Sequence, residues 1–217
     1  MLAPVPAPAS AGCANQDPPY KVGLDGLSIV VVDTHAADDR KDDVVTRYRG
    51  DFAAMFKDLA APAWLVMHRP VLGVGRDKNE RLAAGEPTLL AALKDQIPAS
   101  LQLQLSGHIH LFEALNYSGG LPPQLVVGNG GSAKEFAAPL PADLAAATLP
   151  ARDDGFAIAP GSLPNATFGY VVMTRDRQDR ANWAIALKDR TGRRILACAF
   201  APPTDGARRA LSCRSAA

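Results

Sequence analysis

Only four histidines occur in the 217 residues. Three of them, His68, His108 and His110, follow directly on short apolar runs that read as the ends of buried strands. Neutral imidazole is a ligand for Zn, Fe, Mn or Ni, so rings gathered at one sheet edge can share or split metal ions. In open α/β sheets ligands collect at the carboxyl ends of the strands, where loops aim side chains into a crevice held by a rigid frame. Any one of these histidines, taken singly, reads more readily as a satisfied turn or core position. Their common placement is what points to a metal. In Gly107-His108-Ile109-His110 the glycine permits a sharp turn after the strand, and an extended segment would send both rings to one side. His68, from a neighbouring strand end, would then complete half of a dinuclear site, and carboxylates would have to supply the rest.

The frame for these residues is an alternation of strands and helices. Residues 27–32, LSIVVV, form a run rich in β-branched residues that ends at Asp33 and suits a strand buried on both faces. The polar stretch Asp33 to Asp43 carries five aspartates without the spacing of a calcium loop, and reads as solvated loop. Val45, Phe52, Met55, Phe56 and Leu59 then recur at helical spacing, giving an expected helix over about 50–60, stopped by Pro62. Further strands are expected at 63–67, 101–105 and 124–127, with an amphipathic helix over 86–97 that opens on Glu86-Pro87. Gly128-Asn129-Gly130-Gly131 precedes no helix, so it reads as a tight turn near the metal edge and not as a phosphate cradle. The Ala/Pro/Asp/Gly-rich segment 132–166 shows no periodicity and stays unassigned, as a long loop. Strands at 168–174, 182–187 and 194–200 should form an antiparallel meander.

Composition removes several function classes. With 23 Lys+Arg against 22 Asp+Glu, the net charge of +1 gives no footprint for nucleic acid or an anionic membrane surface. No apolar run approaches the ~20 residues needed to span a bilayer. Prolines 4, 6 and 8 interrupt what would be the apolar core of a signal peptide, so residues 1–19 read as a flexible Pro/Ala-rich lead-in. Cys13, Cys198 and Cys213 lack C-x-x-C spacing, which excludes a zinc ribbon or thioredoxin motif. From spacing alone, a Cys198–Cys213 bridge and three free thiols stand as equal readings. The triplets Asn116-Tyr117-Ser118 and Asn165-Ala166-Thr167 match glycosylation acceptors but occur often by chance.

The succession of strand and Asp33, a helix, Trp64-Leu65-Val66-Met67-His68-Arg69-Pro70, then Leu105-Ser106-Gly107-His108-Ile109-His110, then Val127-Gly128-Asn129-Gly130-Gly131 resembles the C-terminal half of the calcineurin-like metallophosphoesterases, a superfamily that includes purple acid phosphatases. The resemblance spans roughly 20–200, with 201–217 as a tail. It implies an α/β fold, a partial calcineurin-like αββα sandwich with a mixed sheet, helices and C-terminal antiparallel strands. It also implies phosphoester hydrolysis by water activated at a dinuclear Mn, Fe or Zn centre, with His68 and His108 on one metal and His110 on the other. The family's strand-end Asp-x-His, Gly-Asp-x-x-Asp and Gly-Asn-His are not all supplied. Asp33-Thr34-His35 fits the first locally, and Gly50-Asp51 lacks the second aspartate. In the preferred register LSIVVV is a later strand of the domain, and Asp33 and His35 are not ligands; the alternative is a compact site that uses both. The residue that would protonate the leaving group is not identified. A rival from another class is a non-catalytic fragment that binds one metal or a partner, self-associating through an exposed sheet edge. Similar secreted phosphoesterases carry late cysteines, which favours the Cys198–Cys213 bridge and a periplasmic or secreted parent.

Overall fold

Apolar runs flanked by turn residues become the middle of a sheet. The computed structural model describes residues 16–37, 41–59, 62–77, 79–84, 87–131, 140–147, 156–201 and 209–216. Strands β1 (Tyr20–Gly23) and β2 (Ser28–Val32) lead into helix α1 (Asp42–Phe56) and strand β3 (Ala63–Met67). A short hairpin of β4 (Val74–Arg76) and β5 (Leu82–Ala84) precedes α2 (Pro87–Leu93) and β6 (Leu101–Ser106). Then come β7 (Phe112–Leu115), β8 (Tyr117–Ser118), β9 (Gln124–Val127), β10 (Ala157–Ile158) and β11 (Leu163–Asn165). The chain ends in β12 (Gly169–Arg175), β13 (Trp183–Asp189), β14 (Arg194–Ala201) and β15 (Ala210–Ser215).

One seven-stranded sheet runs β1-β2-β3-β6-β9-β7-β11, and a four-stranded sheet runs β12-β13-β14-β15. Strands β2, β3, β6 and β9 are mutually parallel, so their carboxyl ends share one edge. Alternation along the strands separates two cores. On one face Val30, Val32, Leu65 and Met67 pack against Tyr48, Phe52 and Phe56 of α1 and Leu89, Leu90 and Leu93 of α2. On the other, Trp64, Leu103, Phe112 and Leu125 meet Ile185, Leu187, Leu196 and Phe200 of the four-stranded sheet. The rings of Trp64 and Trp183 stand 4.6 Å apart across that interface. Asn116 ties the layers again: its amide donates to the Leu211 carbonyl at 2.9 Å and accepts the Leu211 N–H at 2.7 Å, so a side chain pairs with β15 as a strand residue would.

The two helices and the tail depart from the sequence reading. Helix α1 begins at Asp42, eight residues before the expected 50, because Asp42 and Asp43 set carboxylates in its first turn, where the helix dipole favours negative charge. Tyr48 also extends the buried stripe upstream of Phe52. Helix α2 stops at Leu93, well short of 97, and gives way to turn bonds from Lys94 N–H to Leu90 and from Gln96 N–H to Leu93. Within the expected tail 201–217, Ala210–Ser215 is a strand paired with β14. It sets Cys198 opposite Cys213, and the two form a disulfide with Cα atoms 4.0 Å apart. Parts of the unassigned segment 132–166 and of the lead-in 1–19 lie outside the described residues; of the rest, β10 and β11 add short pairings to β8 and β7. Among the described residues no helix is long and apolar enough to cross a membrane.

Candidate metal centre

Strand register sets the neighbours at the carboxyl edge. Val32 lies opposite Met67, Val66 opposite Leu105, and Ser106 opposite Val126, so Asp33, His68, Gly107-His108 and Gly128 leave the sheet side by side. The amide of Gly107 donates to the His68 carbonyl at 3.0 Å and locks the two loops together. Above that bond the rings meet edge-on, with His68 Nε2 and His108 Nδ1 3.2 Å apart and ring centroids 5.0 Å apart. Both side chains are exposed. Partial burial, with the Arg69 guanidinium adding to it, holds His68 below the usual imidazole range against the opposing pull of Asp33. A lowered pKa favours the neutral imidazole, the form that binds metal ions.

The segment 107–111 is not extended, contrary to expectation. Ile109 N–H bonds back to the Gly107 carbonyl at 2.8 Å and Leu111 N–H to the Ile109 carbonyl at 2.7 Å, two successive γ-turns, with His108 in the left-handed region at φ 65°. Ile109 is forced inward by its surroundings. A β-carbon on Gly73 would fall 2.6 Å from Ile109 Cδ1, and one on Gly128 would fall 1.9 Å from the Ile109 carbonyl oxygen. His108 and His110 therefore do not follow the alternation of a strand. The structure brings His68 and His108 together, and His110 does not make a group of three with them; among the described residues no cluster of three His, Cys, Asp or Glu side chains is placed to hold an ion.

Asp33 stands beside His68, and both line a hollow of about 260 Å³ with Asp17, Tyr20, Val31 and Val66. Its carboxylate is already engaged, accepting from the His35 amide at 3.1 Å and lying 3.0 Å from His35 Nδ1. Burial works to raise the Asp33 pKa, but the His35 amide and ring outweigh it and hold the carboxyl below its ordinary value. The buried Thr34 hydroxyl accepts the Arg69 amide at 2.9 Å, which fastens this loop to the one carrying His68. Gly50 and Asp51 sit within α1, away from any strand end. Asn129 is a tether: its amide donates to the Thr167 carbonyl at 2.9 Å, and its own carbonyl accepts Gly169 N–H at 2.9 Å at the start of β12.

Three residues to which the sequence assigned no role at the site grip the loop that follows His68. Gln124 accepts Val71 N–H at 3.2 Å, the Tyr117 hydroxyl donates to the Leu72 carbonyl at 2.7 Å, and Glu113 accepts Val74 N–H at 3.1 Å. Glu113 is fully buried, and burial pushes its carboxyl up to about 8 against the pull of the Val74 amide. The available signal was a glutamate inside the apolar run Leu111-Phe112-Glu113-Ala114-Leu115, since a charge there needs a buried reason.

Two nitrogens 3.2 Å apart have the spacing of adjacent ligands on one ion, given bonds of about 2.0–2.1 Å at an angle near 100°. The pair fits one ion at two positions. A second ion with a bridging carboxylate is not provided for among the described residues.

No family model matches this sequence, and no curated protein matches it. Among solved structures, the chain is similar to a purple acid phosphatase from seeds of yellow lupin (Lupinus luteus), at 17% identity and a TM-score of 0.52, over 91% of this chain and 32% of that one. It also matches GAP50, the anchor in the inner membrane complex of Plasmodium, at 13% identity and a TM-score of 0.46, over 82% of this chain and 51% of that one. The chain thus spans about a third of the phosphatase and half of GAP50. The architecture, a mixed sheet between helices and an antiparallel sheet, is a partial calcineurin-like α/β fold.

Proposed function

We propose that this chain is part of a calcineurin-like metallophosphoesterase, a hydrolase of phosphate esters, that His68 and His108 bind one metal, and that His110, outside that pair, serves a second whose other ligands are not among the described residues. The observation that carries the reading is the nitrogen pair of His68 and His108, 3.2 Å apart at the edge where four parallel strands end. The phosphatase-like fold supports it. A bound divalent or trivalent ion would lower the pKa of water and polarise the phosphoryl group. The chain's own residues hold two ring nitrogens at a fixed spacing through the Gly107 to His68 bond, and burial together with the Arg69 guanidinium lowers the pKa of the His68 ring. The two rings now share a hydrogen bond, and binding one ion through both nitrogens requires its proton to move to the other nitrogen of the donor ring.

The test is calorimetric titration with Mn²⁺ and Zn²⁺, run beside hydrolysis of p-nitrophenyl phosphate. Binding that is lost in both His68→Ala and His108→Ala, with metal-dependent hydrolysis above the metal blank, supports the reading. Equal affinity in wild type and both variants removes the site, and metal binding without hydrolysis removes the enzymatic part and leaves a metal-binding fragment.

A further inference from the structure

Strand β7 reaches both histidine loops. It starts at Phe112, two residues after His110, and its next residue, Glu113, crosses to the far end of the loop that begins at His68. Residues 68–73 of that loop belong to no helix or strand. Its backbone groups are taken up by side chains from elsewhere: Thr34 at Arg69, Gln124 at Val71, Tyr117 at Leu72 and Glu113 at Val74. One residue before Val74, Gly73 presses on Ile109, which sits between His108 and His110. The two histidine loops thus touch at both ends, through the Gly107 to His68 bond at one and through Gly73 and Ile109, beside Val74, at the other.

Glu113 is an expensive residue for this place. It is fully buried, both carboxylate oxygens lie within reach of the same amide at 3.3 and 3.1 Å, and among the described residues no cation pairs with it. An apolar side chain of similar volume would fill the position at lower cost, but it would leave the Val74 N–H without an acceptor. Position and chemistry together indicate a task for the acceptor.

We propose that Glu113 is a positioning residue for the His68–His108 pair, fixing the end of the His68 loop to the strand that emerges from the His108 loop. The assignment rests on the reading of those two rings as the metal-facing pair. Glutamine at 113 keeps a neutral acceptor of the same reach, whereas leucine or methionine keeps volume and loses the acceptor.

The test compares Glu113→Gln, Glu113→Leu and Glu113→Met by ring-to-ring nuclear Overhauser contacts between His68 and His108 in the metal-free protein, alongside Zn²⁺ titration and far-ultraviolet circular dichroism. The expected result is an unchanged ring contact and Zn²⁺ affinity in Glu113→Gln. In the apolar variants the ring contact should be lost and Zn²⁺ affinity weakened roughly 10–100-fold, the range for removing an outer support of a ligand, with normal secondary structure. Retention of the ring contact in an apolar variant overturns the proposal, as does an equal loss in Glu113→Gln. Failure of both apolar variants to fold, with Glu113→Gln folding normally, makes Glu113 a folding residue and overturns it too. A wild type that binds no metal would sink the proposed function alone, because the ring contact is read without metal.

Discussion

Gly128 and Ile109 approach so closely that any β-carbon at 128 would stand 1.9 Å from the Ile109 carbonyl oxygen. That oxygen already accepts the Leu111 amide in the second γ-turn of the histidine loop. Gly128→Ala must therefore push the loop outward, moving His108 away from His68. The expected outcome is loss of the His68–His108 ring contact and a destabilisation of about 1–3 kcal/mol, the usual cost of overpacking. Gly130, with open space around its α-carbon, is the control. If Gly128→Ala leaves both the ring contact and the unfolding midpoint where Gly130→Ala leaves them, the close approach does not hold the loop.

Glu113 gives the protein a pH dependence of definite sign. Its carboxyl loses its proton at about 4.5 in the unfolded chain and at about 8 in the folded one, so between these values the folded state binds the extra proton. Stability should then fall as pH rises through that window and level off above it, by roughly 5 kcal/mol at the upper limit of 1.36 kcal/mol per unit. Urea unfolding at pH 5, 6.5 and 8 reads this. The stability of wild type relative to Glu113→Gln should decline across the series, and a constant difference would show that the carboxyl is not held neutral.

The Cys198–Cys213 bridge joins directly opposed residues on β14 and β15 and closes a loop of sequence separation 15. Loop-closure entropy for that length amounts to about 3 kcal/mol. Reductant should lower the unfolding midpoint of the wild type and leave the Cys198→Ser, Cys213→Ser double variant unmoved, with the wild-type shift matching the gap between them. Non-reducing peptide mapping after oxidative expression should show the linked pair. Two free thiols there would remove the bridge.

Much of this architecture is legible in local composition. The β-branched and apolar runs at Ser28–Val32, Ala63–Met67 and Gln124–Val127 become strands at the expected places, and His68 and His108 follow strand ends as their spacing implies. What escapes is whatever depends on distant partners. The run containing Glu113 does not look like a strand until the Val74 amide is seen across from its carboxylate. The turn at His108 depends on Gly73 and Gly128, separated from it by 35 and 20 positions, and no local rule reports such crowding. Strand β15, ALSCRS, carries one large apolar residue, and only in the structure do Leu211 and the half-buried Cys213 join the core between the two sheets.

The pairing of Asn116 with Leu211 has a temporal consequence. The two residues lie 95 positions apart, and the contact belongs to the strand made after all the others described. A chain emerging from the ribosome at about 5–20 residues per second completes β9 several seconds before Leu211 appears. Until Trp183–Ala201 follow, the six strands β1, β2, β3, β6, β7 and β9 can pair with the faces of Trp64, Leu103 and Phe112 still uncovered by β13 and β14. The apolar face that β13 and β14 later cover is thus the surface this chain exposes longest while it is being made.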